Sequence, residues 1–377
     1  MTVKYEININ AGFQNLIADI NLRDIEEIRM ILAGGSAIDW YHLLFASREE
    51  VNNFLRVNEY YPEKTKDIRR LKYIFESAKG YLEDNFSYHF PPEVKNPKEI
   101  QDIFLLASTD NEFRNLACII LKVMHIINHI EGREALYKLP VTQDLLFRTA
   151  EEKVNSAVAR MMKQGFPIAQ YTNSRKSRDS MITKLLSKPT TIASQVFDRL
   201  RFRIIMETKQ DLLPALVFLT RNLLPFNYVV PGESRNDIIK LRKLLNGESK
   251  WKHISEQMDY DFQIAEETLN MENPFSAQNF KMTNIVIDLP LSVDRILETA
   301  AIKSRPTSAK IVFQLIEFQI FDLETFQNNE KGLSAHETYK NRQKWKVINR
   351  LMYGNSPLSK GTYHSDTSSS GNKKNAK

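Results

Sequence analysis

Apolar positions recur at helical spacing through the first 150 residues and then give way, from about residue 165, to short alternating runs. The run over 25–32 is amphipathic and stops at Gly34-Gly35, and Ser36 is placed to cap a helix through Trp40, His42 and Phe45. Ser47-Arg-Glu-Glu50 has capping-box spacing ahead of Val51 and Phe54. A charged amphipathic helix is predicted over 66–82, Pro91-Pro92 break the pattern, and another helix opens after Pro97. The segment 116–130 is apolar nearly all round, which predicts a helix buried on every side. Thr142 caps a predicted helix over 143–163 that Gly165 ends, with Leu146, Ala150, Val154 and Ala157 as its inward stripe. Beyond it, strands are predicted at 168–171, 200–206, 226–230, 283–289 and 310–321, with helices at 178–186, 209–224 and 237–245. The fold class is α+β: an all-helical N-terminal domain (1–150), then a domain (151–345) with a mixed five-stranded sheet flanked by helices. Residues 246–278 read as an insertion, and the Ser/Gly/Lys/Asn-rich tail 354–377 is too polar to fold.

Composition narrows the class. Cys118 is the only cysteine, so no disulfide forms within one chain and a reducing cytoplasm is expected. The first residues lack an apolar signal core, and no run of about 18 apolar residues appears, so neither export nor a membrane partner is expected. The net charge is +6, but four lysines and one aspartate after Gly354 supply half of it, leaving a mildly basic body. Twelve glycines among 377 residues disfavour a Gly-rich phosphate loop.

The densest charge chemistry lies in 176–203. Lys176, Ser180 and Lys184 fall at i, i+4 and i+8, one face of a helix, with Arg178 beside them. Arg199, Arg201 and Arg203 alternate with Leu200, Phe202 and Ile204, the period of a strand with one polar side. Lysines on a helix next to Asp198 and a strand of arginines suit a triphosphate with its Mg²⁺, and equally suit a solvated basic face. Glu317 interrupts an apolar strand, and a carboxylate there demands a cation or metal opposite. His125 and His129, at i and i+4, have the spacing of zinc ligands but no accompanying third ligand pattern, so they are expected to be hydrogen-bonded core histidines. Gly34-Gly35-Ser36 reads as a helix stop rather than an anion site.

Lys176-x3-Ser180-x3-Lys184, followed by Asp198-x4-Arg203, resembles the synthetase domain of the RelA/SpoT family, which has a nucleotidyltransferase-like fold. So do Glu317-x-Gln319 and the later His336-Glu337-Thr-Tyr339-Lys340. The resemblance covers about 150–345. It implies transfer of pyrophosphate from ATP to a nucleotide 3′-hydroxyl, with Lys176 and Lys184 on the donor phosphates and Arg203 supporting them. It implies Asp198 and Glu317 as Mg²⁺ ligands, with Glu317 as the alternative base and Gln319 orienting it. Phe280 and Asn284 stand where the family has the tyrosine that stacks on the acceptor base and a histidine. The sequence departs from the pattern at Ser174, where an arginine is usual, and at Arg201, where a glycine is usual. Three readings remain open: an alarmone-type pyrophosphokinase, a degenerate nucleotide-binding or regulatory protein, and a toxin-like enzyme acting on tRNA ends.

Overall fold

A computed structural model describes residues 11–32, 43–187, 199–257, 280–303, 305–331 and 336–353. Its first half is helical: α1 (Ala11–Ala18), α2 (Leu22–Leu32), α3 (Arg48–Val57), α4 (Thr65–Phe86), α5 (Pro92–Lys95), α6 (Gln101–Ser108), α7 (Arg114–Lys138) and α8 (Gln143–Lys163). Two caps form where the sequence places them. Ser47 Oγ accepts from the Glu50 amide at 3.3 Å, and Thr142 Oγ1 accepts from the Leu145 amide at 3.3 Å. Gly165 follows α8 with φ of 82°, the left-handed conformation that glycine adopts without steric cost. The apolar α7 differs from expectation: it runs farther, and Ile126 and Ile130 are exposed. Only the side carrying Ala117, Leu121, Met124, Asn128 and Gly132 is buried, because its packing partners lie on that side alone. Of the helix predicted through Trp40, His42 and Phe45, residues up to 42 lie outside the described residues, and 43–46 around Phe45 are not helical. The tail 354–377 also lies outside the described residues.

The second half contains β1 (Ile168–Arg175), α9 (Arg178–Ser187), β2 (Leu200–Met206), α10 (Leu212–Asn222), β3 (Arg235–Asn236), α11 (Leu241–Gly247) and α12 (Lys252–Gln257). After these come β4 (Thr283–Ser292), α13 (Val293–Thr299), β5 (Ile311–Asp322), α14 (Leu323–Asn329) and α15 (His336–Tyr353). The strands form one sheet in the order β1-β2-β5-β4-β3, with β2 and β5 parallel and the other pairs antiparallel. Leu200, Phe202 and Ile204 of β2, Ile316, Phe318 and Ile320 of β5, and Ile285 and Ile287 of β4 share one face and are fully buried. This apolar core is continuous with that of the N-terminal helices.

Three expectations are corrected. Residues 226–230 form no strand: Phe226–Tyr228 is a 3₁₀ turn between Pro225 and Pro231, whose rings remove two ladder donors. Val229 makes a single bridge to Ile287, and the edge position falls to Arg235–Asn236. The helix expected from 237 starts at Leu241, because Asn236 Oδ1 accepts from the Ile239 amide at 2.9 Å and holds a turn there. Strand β1 continues to Arg175; it is an edge strand whose outer residues face solvent, so no apolar pattern marks its second half.

Helix α7 lies directly on β5. At Gly132 an added Cβ would sit 2.5 Å from Phe313 Cε2, and that ring is wedged between Tyr228 and His129 at centroid distances of 4.6 and 4.7 Å. Gly132→Ala should therefore lower stability by about 1–3 kcal/mol, as overpacking does, despite the better helix propensity of alanine. A urea midpoint equal to or above that of the parent would show that the ring gives way.

Candidate functional site

Cross-strand register assembles a polar row on the other face of the sheet. Thr172 of β1 pairs with Arg203 of β2, Arg203 with Gln319 of β5, Gln319 with Asn284 of β4, and Asn284 with Arg235 of β3. The adjacent row is Ser174, Arg201, Glu317 and Val286. Since directly paired residues project to the same side, seven polar residues from five strands share this face with Glu317. Farther along this face the sheet is covered by α7, where His129 Nε2 and Arg133 Nη2 both lie 2.8 Å from Asp288 Oδ2.

Glu317 is 5% exposed, and the cation that its burial demands is Arg201, whose Nε donates to Oε2 at 2.9 Å. Gln319 Nε2 donates to the other oxygen at 3.1 Å, while Gln319 Oε1 accepts from Arg203 Nε at 3.1 Å and Nη2 at 2.9 Å. The four side chains thus form a chain, Arg201–Glu317–Gln319–Arg203, along two parallel strands. Arg203 also lies over the rings of Phe321 and Phe326, 5.8 and 5.5 Å from their centroids. Burial, and then repulsion from Arg201, lower its pKa from the ordinary guanidinium value. It stays charged, but an anion placed against it would relieve that cost.

The helix motif is only partly helical. Lys176 precedes α9 in the turn after β1, its amide donating to the Arg199 carbonyl at 2.9 Å. Ser177 rather than Lys176 begins the helix, its Oγ accepting from the Ser180 amide at 3.3 Å. Arg178 and Ser180 lie exposed in the first turn of α9, and Lys184 one turn after Ser180. Two nearby arginines turn away from the row. Arg175 donates to both Glu151 oxygens at 2.7 Å and pairs with Asp144, and Arg199 Nη2 donates to Gln143 Oε1 at 2.6 Å. Of the three alternating arginines, then, Arg201 and Arg203 join the row and Arg199 braces α8.

Phe280 lies three residues before the start of β4, and its carbonyl accepts from Arg235 Nη2 at 3.3 Å. Arg235 is itself paired with Asp237 at 2.6 Å, and neither was singled out from sequence, because β3 is two residues long and carries no periodicity. Asn284 sits between Gln319 and Arg235, and its Oδ1 is buried without a hydrogen-bond partner among the described residues. A buried acceptor left unpaired costs about 1–3 kcal/mol, which a ligand donor at that point would recover.

Asp198 lies outside the described residues, as do the side chains of His336, Glu337, Tyr339 and Lys340. Among the described residues no group of three or more His, Cys, Asp or Glu side chains could hold a metal ion. On the polar row, Glu317 is the single carboxylate, and both its oxygens are engaged. The described residues thus bring one carboxylate to the row, and each of its oxygens keeps a lone pair beyond the bond it accepts. His125 and His129 have protein neighbours. Burial, then His129, lowers the His125 pKa to about 3, and its ring lies 4.8 Å from that of Tyr228. His129 holds Asp288.

No family model matches the chain, and no curated protein matches it. Among solved structures it is similar to the small alarmone synthetase 1 from Bacillus subtilis, with 15% identity over 55% of this chain and 88% of that one and a TM-score of 0.29. It is also similar to the small alarmone synthetase 2 from Bacillus subtilis, at 12% identity over 55% and 91% with a TM-score of 0.30. A GTP pyrophosphokinase family protein from Streptococcus pneumoniae matches at 12% identity over 57% and 91%, with a TM-score of 0.29. Among the described residues no helix is long and apolar enough to cross a membrane.

Proposed function

We propose that the polar row binds the polyphosphate of a nucleotide, and that the chain is a divergent RelA/SpoT-like pyrophosphokinase moving pyrophosphate from ATP to a nucleotide 3′-hydroxyl. The observation that carries this reading is the Arg201–Glu317–Gln319–Arg203 chain, held on two parallel strands beside the unpaired Asn284 oxygen. Such transfer is mostly positioning and charge neutralisation, with one base at the attacking hydroxyl. Arg203, with Lys176, Arg178, Ser180 and Lys184 from the neighbouring turn and helix, takes the donor phosphates. Glu317 takes the proton of the acceptor hydroxyl, and Gln319 fixes its orientation. Phe280 stacks on the acceptor base, and Asn284 accepts from it. Arg201 supplies next to Glu317 the positive charge that a magnesium ion would otherwise bring.

That same contact favours a second reading, nucleotide binding without turnover, because the guanidinium occupies an oxygen that a base would turn toward the acceptor hydroxyl. The test supplies ATP labelled at the β-phosphate together with GDP, GTP, AMP, ADP, ATP or bulk tRNA, and follows the label. A labelled nucleotide is expected. Labelled tRNA would move the acceptor to RNA, and ATP binding with no labelled acceptor would leave only the second reading. Absence of ATP binding would defeat both.

A further inference from the structure

Helix α15 buries one side against α9: Gln343 Nε2 donates to Ser187 Oγ at 3.1 Å, Arg350 Nη1 donates to the Leu186 carbonyl at 2.8 Å, and Val347 is buried between them. Among the described residues, its other side exposes large apolar side chains. Trp345 is 58% exposed, Ile348 45%, Leu351 66% and Met352 68%, and the spacing of Trp345, Ile348 and Met352 at i, i+3 and i+7 makes one stripe. Large apolar side chains grouped like this are not ordinary surface residues.

The charge along the same helix is one-sided. It contains Lys340, Arg342, Lys344, Lys346 and Arg350 against Glu337, a net +4. From residue 336 to the end, nine lysines and arginines face two acids, a net +7, whereas the whole chain carries +6. The other 335 residues are therefore at −1, so the net positive charge of the protein comes from α15 and the segment after it. An exposed apolar stripe with a tryptophan, in a helix rich in lysine and arginine, matches the interface of an anionic bilayer. A second copy is a poor occupant, since two-fold pairing of α15 would set +4 against +4. A nucleic acid would use the basic groups but leave Ile348, Leu351 and Met352 in water.

We propose that α15 is a peripheral docking surface for anionic lipid membranes, lying in the headgroup plane with Trp345, Ile348, Leu351 and Met352 inserted. The surface is distinct from the polar row, and the proposal stands whether or not that row is catalytic. It concerns contact with a membrane and not a span across one.

The experiment is co-sedimentation of the full chain with vesicles of phosphatidylcholine, alone or with about one third phosphatidylglycerol. Binding is expected to the mixed vesicles only, and to weaken steeply as salt is raised. Trp345→Glu and Leu351→Glu, both at exposed positions, should each lower it at least tenfold while circular dichroism and melting temperature stay unchanged. Lys344→Gln with Lys346→Gln should weaken it without touching the stripe. Equal binding to neutral vesicles, no binding to either kind, or glutamate variants that bind like the parent would overturn the proposal. So would a concentration-dependent dimer that the same glutamate variants dissociate.

Discussion

Glu317→Gln should abolish pyrophosphate transfer, lowering kcat by about 10²–10⁴-fold, the worth of a positioned general base. The substitution keeps the shape of the side chain and one acceptor for Arg201, so the fold should persist with a loss of about 1–3 kcal/mol. Its effect on ATP should run the other way. A carboxylate beside phosphate oxygens repels them, and removing that charge leaves the positive charge of Arg201 uncompensated, so ATP should bind as tightly as before or more tightly. The signature is therefore a split: a collapsed rate, unweakened ATP affinity and a preserved urea transition. If the rate instead stays within a factor of a few, Glu317 is a buried counter-charge for Arg201 and nothing more. If rate, affinity and stability all decline together, its role is structural.

How much of this was legible before folding depends on the range of the interaction. The alternation of Arg201 and Arg203 with Leu200, Phe202 and Ile204 is set within one strand, and the period alone assigns the two faces. The need for a cation opposite Glu317 was also readable, since an acid inside an apolar run cannot be buried alone. Which cation was not readable, because Arg201 and Glu317 are 116 residues apart and meet only through the parallel pairing of β2 with β5. The same holds for Arg235, brought in by a two-residue strand, and for Arg199, which local pattern groups with Arg201 and Arg203 but α8 captures.

Where local pattern misled, a nonlocal contact or a proline had overridden it. Residues 226–230 have strand composition, but Pro225 and Pro231 cut the ladder, and the Tyr228 hydroxyl accepts from Asn128 Nδ2 at 2.8 Å. The spacing of Lys176, Ser180 and Lys184 promised one helical face. Instead the Lys176 amide extends the pairing with β2, and Ser177 takes the cap, one residue later. Helix α7 read as buried all round because its composition records hydrophobicity, not the number of neighbours that reach it.

The contact between Arg201 and Glu317 also predicts how the site should answer to magnesium. At an effective dielectric of about 20, opposite unit charges about 4 Å apart interact by roughly 4 kcal/mol. The Arg201 side chain is 30% exposed, and screening reduces that to about 1–3 kcal/mol. A divalent cation approaching Glu317 must displace this guanidinium or share the carboxylate with it, so Arg201 should hold the magnesium affinity of the nucleotide complex down by about tenfold to hundredfold. Arg201→Ala removes the competitor and leaves the paired strand backbones in place. It should lower the magnesium concentration for half-maximal ATP binding by that factor, read by calorimetry in the absence of any acceptor. Adding Glu317→Gln to Arg201→Ala should cancel the gain, because the carboxylate that the ion would occupy is gone. An unchanged magnesium midpoint in Arg201→Ala would mean that cations bind elsewhere. ATP binding lost at every magnesium concentration would make Arg201 a phosphate ligand in its own right rather than a counter-charge to Glu317.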